Sequence, residues 1–388
     1  MNEIITHPIS YDVLDVPNIW KAGMEEQRVG YFWPEYINME GHMDKDGNSY
    51  IEEAKEAMLK ERAKWKYDRV SSNTVMTRKA ERPMTIDEAV LKTGGSPFPV
   101  VDLKDRLIDL QTNKIYRGME SIGRLTLNGD ASVTWKEDLA NELTPIYGLD
   151  YDESNRRGAT IIYDHPQRKD GEVYKDRYIA GIDPIDFNID EVGNKYSLMS
   201  CYVMDTFTET IVAEYVGRAD IAKDGYENIR RLLIYFHAKA NYENQLKGIF
   251  GYFESRNSMY LLCDTPKILF QKLDMKLSHD RKKGTAASPK INSYARGLQA
   301  DWLTRPVPGD LTNKEGDTIT NLQRLKSRGL IEEYIKWHKD GNFDRISSMG
   351  MLMILLDEQE SLMIKGDTNK DAFKYTKLYS KAFNIMRG

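Results

Sequence analysis

The stretch Tyr178-Ile179-Ala180-Gly181-Ile182-Asp183-Pro184 is an unbroken apolar run that ends on an acid. Such a run suits a central strand buried on both faces, and Pro184 blocks further donation to a ladder. Asp183 is then expected at the carboxyl end of a central strand, where open α/β sheets usually place their chemistry. Asp186 and Asp190 follow in the next loop. A turn-forming Asp before Pro explains the same residues without chemistry. Glu243, in Asn241-Tyr242-Glu243-Asn244, falls in a short predicted strand after a long amphipathic helix. If that strand neighbours the Asp183 strand, alternation points Asn241 and Glu243 to one face. A solvent-facing Glu on an edge strand is the plain alternative. Asp344, in Gly341-Asn342-Phe343-Asp344, opens a helix carrying Ile346, Met349, Met353 and Leu356. The helix dipole favours an acid in that position in any case. Ser347 and Ser348, one turn on, are expected to leave space for a ligand.

Three carboxylates gathered in one place repel one another, so their gathering would imply a hard cation. Oxygen-only ligation suits Mg²⁺ or Mn²⁺, and two such ions roughly 3.5–4 Å apart would activate water and stabilise the leaving oxygen of a phosphodiester. The three residues lie far apart in the chain, so spacing alone does not bring them together.

Other chemistries find no motif. No G-x-x-x-x-G-K-[ST] occurs, so an ATP-binding P-loop is not expected. Asp44-Lys45-Asp46-Gly47-Asn48 resembles the start of a calcium loop, but its Gly comes early and the twelfth position is not Glu, which leaves an Asp-Gly turn. The six His are scattered, which argues against zinc, and neither G-x-S-x-G nor C-x-x-C is present.

These candidates need elements to hold them. From about Ala159 the chain reads as short apolar strands separated by turns. ATIIYDHP and DRYIAGIDP are two predicted strands, and YSLMSCYVMD with TIVAEYVGR forms a predicted hairpin across Thr206–Glu209. DGYENIRRLLIYFHAKA is an amphipathic helix with Ile229, Leu232, Leu233 and Phe236 on its apolar face. A strand at NYENQ, a helix at KGIFGYFESRN and a strand at MYLLCD follow, then helices over roughly 319–338 and 343–361. Strands first and then alternating strand and helix mean an α/β fold with a central mixed sheet flanked by helices. The first third is polar and weakly periodic, with helices expected over 49–68 and 100–112 and otherwise irregular chain.

Composition sets the outer bounds. With 388 residues, 40% of them hydrophobic, the chain has material for two domains and a real core. No apolar run approaches the ~20 residues of a membrane helix. The start MNEIITHPIS has no basic region followed by an apolar stretch, so no secretory signal is expected. Cys201 and Cys263 sit in apolar runs and are expected as buried thiols in a reducing cytosol. The formal net charge is −5, yet residues 267–296 carry six Lys and two Arg against two Asp, a local balance of +6. Lys276, Arg281, Lys282, Lys283 and Lys290 lie there. Such a segment could bind phosphates; a solvated surface loop has the same composition.

With these residues in view, the chain resembles the large terminase subunits of tailed bacteriophages. The resemblance rests on YIAGIDP (178–184), DTFTETIVAEYVGR (205–218), NYENQLKG (241–248), MYLLCDTP (259–266) and NFDRISSMGMLMILL (342–356), in that order. It implies an RNase H-like nuclease domain over 151–388 whose Asp183, Glu243 and Asp344 hold two metal ions, Mg²⁺ or Mn²⁺, with Asp186 and Asp190 as weaker candidate ligands. It also implies that the basic segment is a DNA-contacting flap.

In that family an ATP-driven packaging motor precedes the nuclease. Residues 1–150, with YFWPEYIN at 31–38, resemble the segment between the two. The expectation is therefore a nuclease half with a connector, from a truncated chain or a split gene, acting in the host cytoplasm. The expected activity is metal-dependent cutting of concatemeric double-stranded phage DNA, with little sequence specificity. The expected partners are DNA, the portal protein, the small terminase subunit and a separate motor half, with no membrane. The alternatives are a Holliday-junction resolvase or recombinase-type nuclease on the same fold, or a non-catalytic packaging scaffold.

Overall fold

The computed structural model describes residues 8–11, 14–17, 28–67, 78–89, 96–113, 116, 119–149, 156–186, 197–273, 283–308, 311–312 and 318–367. The chain divides into two compact units, Met1–Pro99 and Val100–Gly388.

The first unit contains a two-stranded antiparallel ribbon of β1 (Asp15–Pro17) and β2 (Arg28–Gly30), helix α1 (Ile51–Tyr67) and the single turn α2 (Ile86–Ala89). Arg62 crosses from α1 to bond both carboxylate oxygens of Glu88, at 2.7 and 3.0 Å. The Asp44–Asn48 segment is the expected turn. Asp44 Oδ1 accepts from the amides of Asp46 and Asn48, and Gly47 has φ +85°, a region that costs glycine nothing.

The second unit begins with α3 (Val100–Thr112) and is built on a seven-stranded sheet. Its strands are β3 (Ser121–Leu127), β4 (Val133–Glu137), β5 (Ala159–Ile162), β8 (Tyr178–Asp183), β9 (Met199–Asp205), β10 (Thr210–Gly217) and β11 (Lys239–Tyr242), with the small hairpin β6 (Arg168–Lys169) and β7 (Glu172–Val173) standing apart. The spatial order is β11-β8-β9-β10-β5-β3-β4. Only β11 and β8 pair in parallel among these neighbours, so the sheet is mixed. The boundary between units falls ahead of the change in sequence texture near Ala159, because β3 and β4 join this sheet. The strands at ATII and YIAGID are not neighbours; β9 and β10 lie between them.

Helices α4 (Ala222–Phe236), α5 (Gly248–Ser255), α6 (Ile268–Leu273), α7 (Pro289–Thr304), α8 (Asn321–Arg324), α9 (Arg328–Lys336) and α10 (Asp344–Asp367) complete the unit. Helix α4 lays Ile229, Leu232, Leu233 and Phe236 against one face of the sheet, where they meet Ala180, Ile182, Cys201 and Val203. Each is fully buried, and each such side chain contributes about 1.5–3 kcal/mol by leaving water. Helix α10 packs on β8, β9 and β11 and against α7. Its middle is apolar on every side, as a helix covered all round must be, and Met349, Met351, Leu352, Met353 and Ile354 are all buried.

Gly181 permits that approach. A Cβ there would lie 2.0 Å from the Ser348 carbonyl oxygen and 2.4 Å from the Leu352 amide. The predicted strand at MYLLCD is instead a 3-10 turn over Met259–Leu261, followed by isolated bridges from Leu262 to Ala240 and from Asp264 to Lys283. Ser258 and Asn257 tie the preceding chain back to α5 through bonds to Phe253 and Glu254, so the segment arrives already turned.

Candidate active site

Strand alternation decides which side chains face α10. Gly181 meets that helix, so Ile179 and Asp183 share its side of β8 while Ala180 and Ile182 face α4. In the parallel partner, Asn241 is opposite Gly181 and donates its side-chain amide to the Met351 carbonyl at 2.9 Å. Glu243 stands two residues on, at the same end of the sheet as Asp183. Its backbone amide donates to the Ile182 carbonyl at 3.0 Å. The edge beyond is not bare. Thr285 bridges Glu243, its amide donating to Tyr242 and its carbonyl accepting from Asn244. The Thr285 hydroxyl donates to Asn241 Oδ1 at 2.9 Å.

Asp344 is the first residue of α10 and is held from two sides. Oδ2 accepts from the Leu198 amide at 2.6 Å, and Oδ1 accepts from the side-chain amide of Asn342 at 3.0 Å. Ser200, opposite Asp183 in the β8–β9 register, donates its hydroxyl to the Asp344 carbonyl at 2.7 Å. Behind the acid, Arg345 and Glu333 form an ion pair at 2.9 Å whose side chains are 1% and 2% exposed. Glu333 also accepts the amides of Arg345 and Ile346, which caps the start of α10.

The three acids feel one another. Burial, then the charges of Asp344, Glu243 and Glu333, push the Asp183 carboxyl well above its ordinary range. Burial pushes Glu243 up as well. Asp344 rises from 3.8 to about 6, chiefly by burial; the Leu198 amide, the Asn342 amide and Arg345 oppose the rise, and Glu243 adds to it. Desolvation and like charge both favour the neutral form, and their combination is typical of carboxylates assembled for a purpose. Among the described residues, no three His, Cys, Asp or Glu side chains converge on a common point as a bound ion requires. The donor chemistry of the trio is nonetheless that of a hard-cation site: oxygen atoms only, with repulsion that a cation would relieve.

The other candidates divide. Asp186 is engaged on both oxygens, by the Tyr226 hydroxyl at 2.7 Å and the Gly248 amide at 2.9 Å, and so joins the end of β8 to the start of α5. Asp190, Lys276, Arg281 and Lys282 lie outside the described residues. Lys283 donates to the Leu262 carbonyl at 2.7 Å and pairs with Asp264 at 3.2 Å. Lys290 donates to the Leu273 carbonyl at 2.6 Å. Ser348, expected to leave room for a ligand, is buried with its hydroxyl on the Arg345 carbonyl. Cys201 and Cys263 are free thiols, the first fully buried and the second partly so. Asn342, Ser197 and Thr285 escape a sequence reading, because each works through a partner distant in the chain.

The fold and site define an α/β protein with three interacting carboxylates at one end of a mixed sheet. No family model and no curated protein matches the chain. It is similar to solved structures of the large terminase nuclease from thermophilic phage G20c, including one with bound zinc, at 13% identity and a TM-score of 0.31. The likeness covers 54% of this chain and 91% of that one. The same nuclease with bound magnesium matches at 12% identity, with a TM-score of 0.31.

Proposed function

We propose that this chain is a metal-dependent endonuclease of the terminase type, which cuts concatemeric double-stranded phage DNA during genome packaging. The observation that carries the reading is that Asp183 at the end of β8, Glu243 just past β11 and Asp344 at a helix start lie at one end of one sheet face and raise one another's proton affinity. Three antiparallel strands, β8 to β10, followed by a helix and the parallel strand β11 beside β8, support the RNase H-like reading of the domain.

In this reading Asp183, Glu243 and Asp344 would together hold two divalent cations, Mg²⁺ or Mn²⁺. Such ions supply positive charge to the attacking and departing oxygens of a phosphodiester. The Leu198 amide and the Asn342 side chain orient Asp344, and Ser200 fixes its backbone. The Ile182 carbonyl and Thr285 fix the backbone of Glu243 from either side. Lys283 and Lys290 would exchange their present partners for phosphates, and Lys276, Arg281 and Lys282 would add charge from the same basic segment, which gives backbone contact and little sequence preference. The chain ahead of the sheet-bearing unit would connect the nuclease to a packaging ATPase, and the portal and small terminase subunit would be its partners in the host cytoplasm.

The test is cleavage of supercoiled plasmid by the purified chain in Mg²⁺, Mn²⁺ and Ca²⁺, beside Asp183→Ala. Nicking and linearisation in Mg²⁺ or Mn²⁺, absent in Ca²⁺ and lost in the variant, are expected. Equal cleavage by Asp183→Ala sinks the proposal. Stabilisation by metal without turnover on any DNA would favour a packaging scaffold instead.

A further inference from the structure

We infer that Asn342 is a positioning residue for Asp344, fixing the direction in which that carboxylate presents its remaining lone pairs to a divalent cation. The inference rests on the metal-dependent reading of the site. A carboxylate offers about four acceptor positions on its two oxygens. The Leu198 amide takes one on Oδ2 at 2.6 Å, and Asn342 takes one on Oδ1 at 3.0 Å. The second N–H of the same Asn342 amide reaches the Ser197 hydroxyl at 3.0 Å. Ser197 directly precedes Leu198, so one side chain ties Oδ1 to the segment whose backbone binds Oδ2. Rotation of the carboxylate about its own axis would break both bonds at once. One acceptor position is left on each oxygen, and their directions are set.

Burial separates this role from a merely structural one. Asp344 and Ser197 are buried, whereas Asn342 is exposed and contributes little to the core. Its removal therefore frees the acid without opening a cavity. Outer partners of this kind typically change metal affinity about 10–100-fold.

The experiment is calorimetric titration of Mn²⁺ into the full chain, for the parent, Asn342→Ala and Ser197→Ala, with melting in chelator as the check on folding. For Asn342→Ala the Mn²⁺ dissociation constant should rise about tenfold, with melting in chelator close to the parent's. Ser197→Ala, which loosens Asn342 but keeps its amide, should weaken binding in the same direction by less. The Mn²⁺ concentration that half-saturates plasmid nicking should move in parallel. If the parent binds Mn²⁺ and both variants bind it equally well, the positioning role is wrong and the nuclease reading stands. If the parent binds no Mn²⁺, both fall together.

Discussion

Glu243 donates its backbone amide to the carbonyl of Ile182, the residue immediately before Asp183, at 3.0 Å. This single ladder bond brings the two acids to the same end of the sheet, although 60 positions separate them in the sequence. It holds them there by backbone, so neither side chain spends a hydrogen bond on the arrangement. The carboxylates are left with burial and mutual repulsion, and the cost falls on the cation-free protein.

That cost has a pH signature. An acid whose proton affinity rises on folding keeps its proton in the folded state over a range where the unfolded chain has lost it, so stability falls as pH rises across that range. Asp344 moves from 3.8 to about 6, which corresponds to about 3 kcal/mol once both states are ionised. Asp183 shifts in the same direction. In chelator, the melting temperature should therefore fall as pH rises from about pH 4 through about pH 6. Asp183→Asn should melt higher than the parent at pH 7 and show a shallower fall. A parent that gains stability over this range would refute the assigned repulsion.

Close packing on Gly181 makes a sharper demand. The atoms a Cβ would meet, the Ser348 carbonyl oxygen at 2.0 Å and the Leu352 amide nitrogen at 2.4 Å, belong to the backbone of α10 and cannot rotate away. Gly181→Ala must displace the helix that begins with Asp344. Overpacking of this kind costs about 1–3 kcal/mol and sometimes more. Urea unfolding should show that loss, and plasmid nicking should fall by more than the folded fraction does, because Asp344 moves relative to Asp183. Parental stability in Gly181→Ala would mean that α10 does not lie so close.

Glu333 and Arg345 are expected to be strongly coupled. Removing one member of a buried pair leaves the other charged and unpaired, at a cost of about 3–5 kcal/mol. Glu333→Gln and Arg345→Met should each approach that loss in urea unfolding. The combined variant Glu333→Gln/Arg345→Met should lose much less than the sum of the two, since no lone charge remains. Gly329 belongs to the same design, because a Cβ there would press 2.5 Å from Arg345 Nε. Additive losses would show that the two side chains are solvated independently.

The parts of this architecture legible in the sequence are those that carry their own period. The run ending at Asp183, the amphipathic α4 and the apolar α10 each present a pattern that a single buried environment enforces. The hairpin of β9 and β10 reads as clearly, since β9 is buried throughout and β10 from Ile211 onward. Strands β3 and β4 escape because exposed and half-buried positions interrupt their alternation, and β4 closes one edge of the sheet. Of the site, the strand-end acid is readable from its run and proline. The support around Asp344 is not: Asn342 finds Ser197 across 145 residues, and Asn241 finds Met351 across 110. No local pattern encodes such pairs, which exist only once the sheet and α10 have met.

Cation binding should reverse the electrostatic penalty, and its pH dependence carries the opposite sign. A carboxylate must lose its proton before it binds a metal, so protons and metal compete. With Asp344 raised to about 6 and Asp183 raised well above its ordinary range, affinity for Mn²⁺ should be weak near about pH 5 and strengthen steadily through neutrality. Since the ion binds the folded chain, it stabilises by mass action, by about 2.7 kcal/mol at a hundred times its dissociation constant. Melting curves with and without Mn²⁺ should thus nearly coincide at about pH 5 and separate as pH rises to about pH 8. Asp344→Asn, which loses both a charge and a ligand, should abolish the separation at every pH. A Mn²⁺-induced shift that is as large at about pH 5 as at about pH 8 would place the ion elsewhere on the protein.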